Sequence, residues 1–314
     1  MTTTAPPEPR QRPHAGRRPL TLRRRESRAG LALVAPTLLV VVAVVGIPIG
    51  WTVVLAFQRV RLATLRRTGL FGEFTLDNFT RVLNTPGFAD TLWTTLLYSL
   101  GATGGSILIG LVAALVVRRP FRGRTLVRAS MLLPYVAPVV AVAFVWQVLL
   151  DPQLGLVNDW GQRFLGWDAA IPFLTQDSTA LATVIAFEAW RYFPFAFLFL
   201  LARLQAVPGE LEEAARVDGA TPTQRFRHIL LPQLLPVIAL LGVLRFIMTF
   251  NKFDDVYLLT GGAAGTEVVS IRVYEFLTAR TDVGAAAAQA VVLAVVLFVF
   301  VGIHLRFFAG RRES

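Results

Sequence analysis

Pro208-Gly209-Glu210-Leu211-Glu212-Glu213-Ala214-Ala215-Arg216-Val217-Asp218-Gly219-Ala220-Thr221-Pro222-Thr223-Gln224 is a polar, acidic stretch set inside an otherwise apolar chain. It reads as a folded element. Pro208-Gly209 ends the apolar run before it, and Glu210, Glu212 and Glu213 crowd the first turn of a short helix, where carboxylates favour the helix dipole. Leu211, Ala214 and Ala215 recur at i, i+3 and i+4 and make a small apolar face, while Glu212 and Arg216 have the i, i+4 spacing of an ion pair. Gly219 stands where a left-handed C-terminal cap belongs. Thr221-Pro222-Thr223-Gln224 then forms a capping box with proline at the first helical position. These signals predict a short helix, a glycine corner, and a second helix running into the apolar segment that opens with Ile229-Leu230-Leu231-Pro232. Small side chains at 214 and 215 admit close approach by a partner's surface, and Glu213 offers it a charge. A solvated amphipathic connector has the same pattern, and these residues alone do not separate the two.

The rest of the chain explains why such an element is out of place. Of 314 residues, 54% are hydrophobic and 16% charged, against about 25% charged in soluble domains. The mean hydropathy is +0.58. This is an all-α, polytopic membrane protein. Six segments approach the roughly 20 apolar residues that a span requires: Leu31 to Phe57, Thr91 to Val117, Ala129 to Leu150, Ala180 to Leu204, Ile229 to Phe250 and Ala285 to Phe308. The first is too long for a signal-peptide core, and no clear Ala-x-Ala site follows it. Residues 1–30 form a basic, Pro/Arg-rich tail expected to be disordered, residues 31–308 the six-helix membrane domain, and residues 309–314 a short second tail. The acidic loop occupies about 205–228.

Charge sets the orientation. The net charge is +11, and eight of the basic residues fall in the first 29 positions, directly before an apolar run. That placement points to a membrane surface and not to nucleic acid. With both termini in the cytoplasm, the Lys/Arg-rich ends of the spans lie inside, as the positive-inside rule asks. The cluster Arg59, Arg61, Arg66 and Arg67 dissents, because it falls on the outer side.

Several chemistries are excluded. The chain has no cysteine, so it forms neither disulfides nor thiolate metal sites. Its one lysine, Lys252, lies between Asn251 and Phe253, not at the Gly-Lys-Ser/Thr end of a phosphate-binding loop, so the chain does not hydrolyse ATP by that route. No catalytic constellation and no metal-ligand cluster is visible. Inside the spans, Arg191 costs about 2.5–3.5 kcal/mol at a helix centre and needs a cavity or a partner. Glu188, three residues earlier, is the expected partner. Trp190 beside them, Trp146 and Gln147 in span three, and Phe250 and Asn251 at the end of span five complete a set suited to a polar solute: aromatic faces beside hydrogen-bonding groups. A structural ion pair and interfacial aromatics account for the same residues. Gly101-x-x-x-Gly105 suits close helix packing.

Glu213-Ala214-Ala215, three residues, Gly219, nine residues, and Ile229-x-Leu231-Pro232 resemble the signature of the permease subunits of binding-protein-dependent ABC importers, and Asp218-Gly219-Ala220 and Phe226 agree with it. Phe121-Arg122-Gly123-Arg124, Leu133-Pro134, Trp146, Phe253-Asp254, Tyr257 and Thr260-Gly261-Gly262 are similar to the sugar-importer branch, and the basic tail before a long first span to its maltose MalF or glycerol-phosphate UgpA type. Ala263-Ala264-Gly265 depart from the Gly-Pro that often follows there. The resemblance implies the type I ABC importer permease fold and a transport role without catalysis. It implies a heterodimer with a second permease, two ATPase subunits that bind the ATP and Mg, and an extracytoplasmic solute-binding protein, a lipoprotein if the Arg-for-Lys bias marks a Gram-positive bacterium. It assigns ATPase coupling to Glu210, Glu213, Ala214, Ala215, Asp218, Gly219, Ile229, Leu231 and Pro232. The competing class is an ion-gradient-driven secondary transporter, for which Glu188 is the only carboxylate well inside an expected span. An intramembrane enzyme lacks a nucleophile and base.

Overall fold

The computed structural model describes residues 20–67 and 72–309. Of the expected tails, positions 1–19 and 310–314 lie outside these residues, and the backbone is already helical from Leu20. Contacts divide the chain into Met1–Thr52 and Val53–Ser314. The first unit holds α1 (Leu20–Val41), a π-helical turn (Val42–Gly46) and most of α2 (Ile47–Ala56). The wide turn has a local cause. Pro48 has no N–H, and its ring crowds the carbonyl one turn back, so the helix loosens just upstream. Pro232 has the same effect on Phe226–Leu230 in the second unit.

The regular elements of the second unit are all helices among the described residues, joined by loops and with isolated bridges between Gln58 and Phe74 and between Arg61 and Asp282. After α3 (Asp77–Leu83) comes the long α4 (Phe88–Val117). Then follow α5 (Arg124–Ser130), α6 (Leu133–Val136), α7 (Val139–Leu149) and α8 (Leu156–Phe164). The long α9 (Asp177–Gln205) precedes α10 (Gly209–Val217) and α11 (Pro222–Arg225). A π turn leads into α12 (Leu231–Phe250), and α13 (Asp254–Thr260), α14 (Val269–Thr278) and α15 (Val283–Ala309) close the fold.

Among the described residues, five helical runs are long and apolar enough to cross a membrane: Gly30–Ala56, Phe88–Val117, Asp177–Gln205, Pro222–Phe250 and Val283–His304. Each starts and ends within a few residues of an expected span, apart from the capped start of Pro222–Phe250. The expected span Ala129 to Leu150 differs. It is a broken pair, Arg124–Val136 and Val139–Leu149, bent by 95°. Ala137 is extended, with ψ 141°, because Pro138 disfavours the helical region in the residue before it. Counted as one span, the pair makes six. Pro194 and Pro236 break nothing and lie inside α9 and α12.

The most extensive helix contact is between α4 and α9. In lipid there is little hydrophobic drive between helices, so close backbone approach and side-chain hydrogen bonds decide the pairing. Both are present. A Cβ on Gly101 would meet Ile185 at 3.1 Å, and one on Gly105 would meet Ala189 at 2.9 Å, so the expected role of these glycines in packing holds. The seam continues to Gly110, where a Cβ would lie 2.8 Å from the backbone nitrogen of Phe197. Along the same helix, the hydroxyls of Thr91, Thr95 and Ser99 donate to the carbonyls of Gly87, Thr91 and Thr95, so these polar groups are satisfied within the bundle. A core of Ala113, Ala114, Val117, Ala196, Phe197 and Leu200 joins α4 and α9, with Leu234 and Leu241 from α12. Gly110→Leu is expected to lower stability by about 1–3 kcal/mol through overpacking. Gly104→Leu, at an exposed site with nothing within 4 Å, should be near neutral. Thermal unfolding in detergent distinguishes the two, and equal midpoints would contradict the seam.

Candidate functional site

The acidic stretch folds as its residues direct. Pro208, with ψ 128°, turns the chain out of α9, and α10 starts at Gly209 with Glu210 and Glu212 in its first turn. At the other end, Gly219 has φ +78°. The Ala220 amide donates to the Ala215 carbonyl at 2.8 Å and the Gly219 amide to Arg216 at 3.1 Å, the paired bonds of a Schellman cap. The Thr221 and Gln224 side chains then exchange bonds with each other's backbone amides, at 3.3 and 2.7 Å, in a full capping box. One expected contact is different. Glu212 pairs with Arg118 at the end of α4, at 2.5 Å, and not with Arg216. The i, i+4 partner is free to sample water, whereas Arg118 is held at the mouth of a cleft between the α4 end and α10. This bond ties the loop to the α4–α9 pair. Glu210, Leu211, Glu213, Ala214, Val217 and Asp218 remain exposed and Ala215 half-buried. Val217, at 88% exposure, is an apolar side chain that covers nothing in this chain. Ile229 and Leu231 are half-buried and Pro232 exposed, where the π turn passes into α12. The Arg203 Nε donates to the Gln233 carbonyl at 3.0 Å, so α10 hangs between two helices that are themselves joined.

A second constellation lies within the bundle. Glu188 is fully buried, and its carboxylate pairs with Arg245 of α12 at 2.8 Å. The expected Glu188–Arg191 pair is therefore corrected. Both residues lie on α9, but each side chain points to another helix: Arg191 approaches Asp255 of α13 at 4.0 Å. Lys252 donates to the Tyr192 hydroxyl at 2.6 Å and lies 3.5 Å from Asp255. The Arg245 guanidinium sits 4.2 Å over the Tyr192 ring, a cation–π contact strengthened by desolvation. Burial and then the neighbouring Glu188 push the Asp255 carboxyl up, to about 9. Beside the charges, Trp146 meets Phe187 edge-on at 5.2 Å and Trp190 at 5.5 Å. The Gln147 amide donates to the Leu258 carbonyl at 2.7 Å, fastening α7 to α13. Phe250 and Asn251 do not join this group. Phe250 stacks on Phe246 in a separate cluster, and the Asn251 amide is spent on the Ile247 carbonyl of its own helix.

Two members of the cluster were not singled out from the sequence. Arg245 carries the same signal as Arg191, an ionisable residue deep in an apolar span. Asp255 carries none, because it lies beyond the end of span five and is buried only by the return of α13.

Both constellations fall within the reach of one comparison. The family described as binding-protein-dependent transport system inner membrane component matches residues 106–313. The chain belongs to this family. Among its relatives, the inner membrane ABC transporter permease protein YcjO of Escherichia coli K12 is 35% identical over 269 residues, 85% of this chain and 90% of that protein. The trehalose transport system permease protein SugA of Mycobacterium tuberculosis is 36% identical over 284 residues, 88% of either chain. The fold agrees with a crystal structure of a bacterial ABC transporter involved in the import of the acidic polysaccharide alginate, with a TM-score of 0.74, 25% identity and coverage of 94% of this chain and 99% of that one. As a member of this family, the chain is a multi-pass membrane permease of an ABC transport system, a transport subunit rather than an enzyme. A secondary transporter is not favoured.

Proposed function

We propose that this permease is one half of a heterodimeric, ATP-driven importer of a sugar or sugar-like solute, in a bacterial cell membrane with both termini in the cytoplasm. Trehalose permease SugA supports the solute class, as does the trehalose/maltose permease MalF of Thermococcus litoralis, 32% identical over 93% of this chain. The single observation that carries the coupling role is α10. It is an exposed short helix, capped at its C-terminus, that leaves Glu213, Ala214 and Val217 unpartnered; Glu212 ties it to the end of α4, and the α9 it follows is bonded to α12 through Arg203. A separate ATPase, which holds the ATP and Mg, docks on that face through Glu210, Glu213, Ala214 and Asp218. Closure of two ATPases pulls on α10, and the Gly219 cap passes the motion through Ile229, Leu231 and Pro232 into α12.

The solute path runs beside Trp146 and Trp190, with Arg191 behind them. Glu188 and Arg245, sealed from water, hold α9 to α12 as the wall of that path, and an extracytoplasmic binding protein, a lipoprotein in a Gram-positive cell, delivers the solute. Tagging the chain in its native membrane and purifying in mild detergent is expected to recover an ATPase, a second permease and a binding protein whose ligand names the solute. Recovery of the chain alone after cross-linking at Glu213 would reduce α10 to a connector.

A further inference from the structure

The transport mechanism makes no use of α8, between the broken third span and α9. Its nine residues carry three faces. On the first, Asn158 is buried. Its amide donates to the carbonyls of Leu150, Asp151 and Ile171, at 3.3, 3.2 and 3.1 Å, and its carbonyl accepts from the Ile171 amide at 2.8 Å. Gly161 on the same side is covered by the Trp167 ring, which a Cβ there would strike at 2.1 Å. The second face is polar, with Asp159 and Arg163 in an i, i+4 pair at 2.7 Å and Gln162 beside them. The third is Leu156, Trp160 and Phe164, at i, i+4 and i+8. Trp160 is 58% and Phe164 77% exposed, and the two rings touch edge-on at 6.4 Å.

The anchors decide where this stripe lies. Asn158 bonds to the residues directly after the span that ends at Leu149 and to the segment that leads into the span that begins at Asp177. A helix tied to the ends of two neighbouring spans sits at the depth where those spans leave the hydrocarbon. Its roll about its own axis is set as well, because Asn158 and Gly161 face inward. An apolar aromatic stripe beside a charged face, at the membrane boundary, is the pattern of a helix that lies in the interface with its rings among headgroups and upper acyl chains. We propose that α8 is an interfacial anchor whose Leu156, Trp160 and Phe164 insert into the lipid surface, fixing the height of the broken third span against α9.

The chain has no cysteine, so within it a nitroxide goes to the one introduced cysteine, and the complex with the unsubstituted chain, labelled in parallel, gives the background from other subunits. Phe164→Cys, Trp160→Cys and Gln162→Cys are made in the full chain, purified with the subunits that accompany it, reconstituted in phospholipid vesicles and checked by thermal unfolding. Collision with oxygen, which partitions into lipid, is compared with collision with a water-soluble nickel chelate. The anchor requires oxygen to dominate at positions 160 and 164 and the chelate at 162. Chelate dominance at 160 and 164 would place the stripe in water and overturn the proposal. Low collision with both reagents would show the stripe covered by another subunit, which also overturns it.

Discussion

Arg245→Met will leave the Glu188 carboxylate buried without its counter-charge, and the protein is expected to lose about 3–5 kcal/mol of stability. The pair is 2.8 Å apart, with 1% and 0% of the two side chains exposed. Thr249 is 3.5 Å from the same carboxylate oxygen, too far to replace a charge-assisted bond. Lys252 is already committed to Tyr192 and Asp255. The double variant Glu188→Gln with Arg245→Met removes both charges and should recover most of the loss, since a buried pair is often no better than an apolar replacement. A double-mutant cycle on unfolding in detergent measures this. Additive losses would mean that the two side chains do not interact. Uptake is the second readout: if the pair only walls the path, the double variant keeps transport as well as stability.

Gly219→Val should do the opposite, sparing the bundle and disabling the loop. The residue has φ +78°, and nothing lies within 4 Å of a Cβ built there, so the whole effect is backbone conformation. The left-handed region costs a non-glycine residue roughly 1–2 kcal/mol, and a β-branched side chain is the worst suited to it. About 1.4 kcal/mol is a tenfold shift in population, enough to open the Schellman bonds from Ala220 and Gly219. Insertion and thermal stability of the spans should change little, while uptake falls sharply and ATP hydrolysis by the co-purified complex no longer responds to solute. Gly219→Asn should be milder, because asparagine visits this region more readily. Wild-type uptake by the valine variant would remove α10 from the coupling path.

The acidic loop was legible from local rules because its structure is local. Capping boxes, glycine caps and first-turn carboxylates act over four or five residues, and each of Gly219, Thr221 and Gln224 lies where those rules put it. Span positions were legible for a similar reason, since length and apolarity suffice in lipid. The bend at Pro138 was only half legible. Proline predicts an interruption, but 95° depends on what α6 and α7 pack against.

Partnerships across the bundle are another matter. Spacing on one helix favoured Glu188 with Arg191 and Glu212 with Arg216, and in both cases a residue distant in sequence won, Arg245 and Arg118. An i, i+3 or i, i+4 pair gains only a few tenths of a kcal/mol. A charge in a low-dielectric interior gains far more from whichever opposite charge the packing brings against it.

Composition, hydropathy and short-range chemistry were enough to establish an all-α, polytopic membrane protein with a capped acidic loop at 205–228, and the resemblance of that loop's residues to a known signature made it a permease. Which charges meet inside it, and that Asp255 is buried at all, were settled by the packing of α4, α9, α12 and α13. Those contacts join residues dozens of positions apart, and no local preference reaches that far.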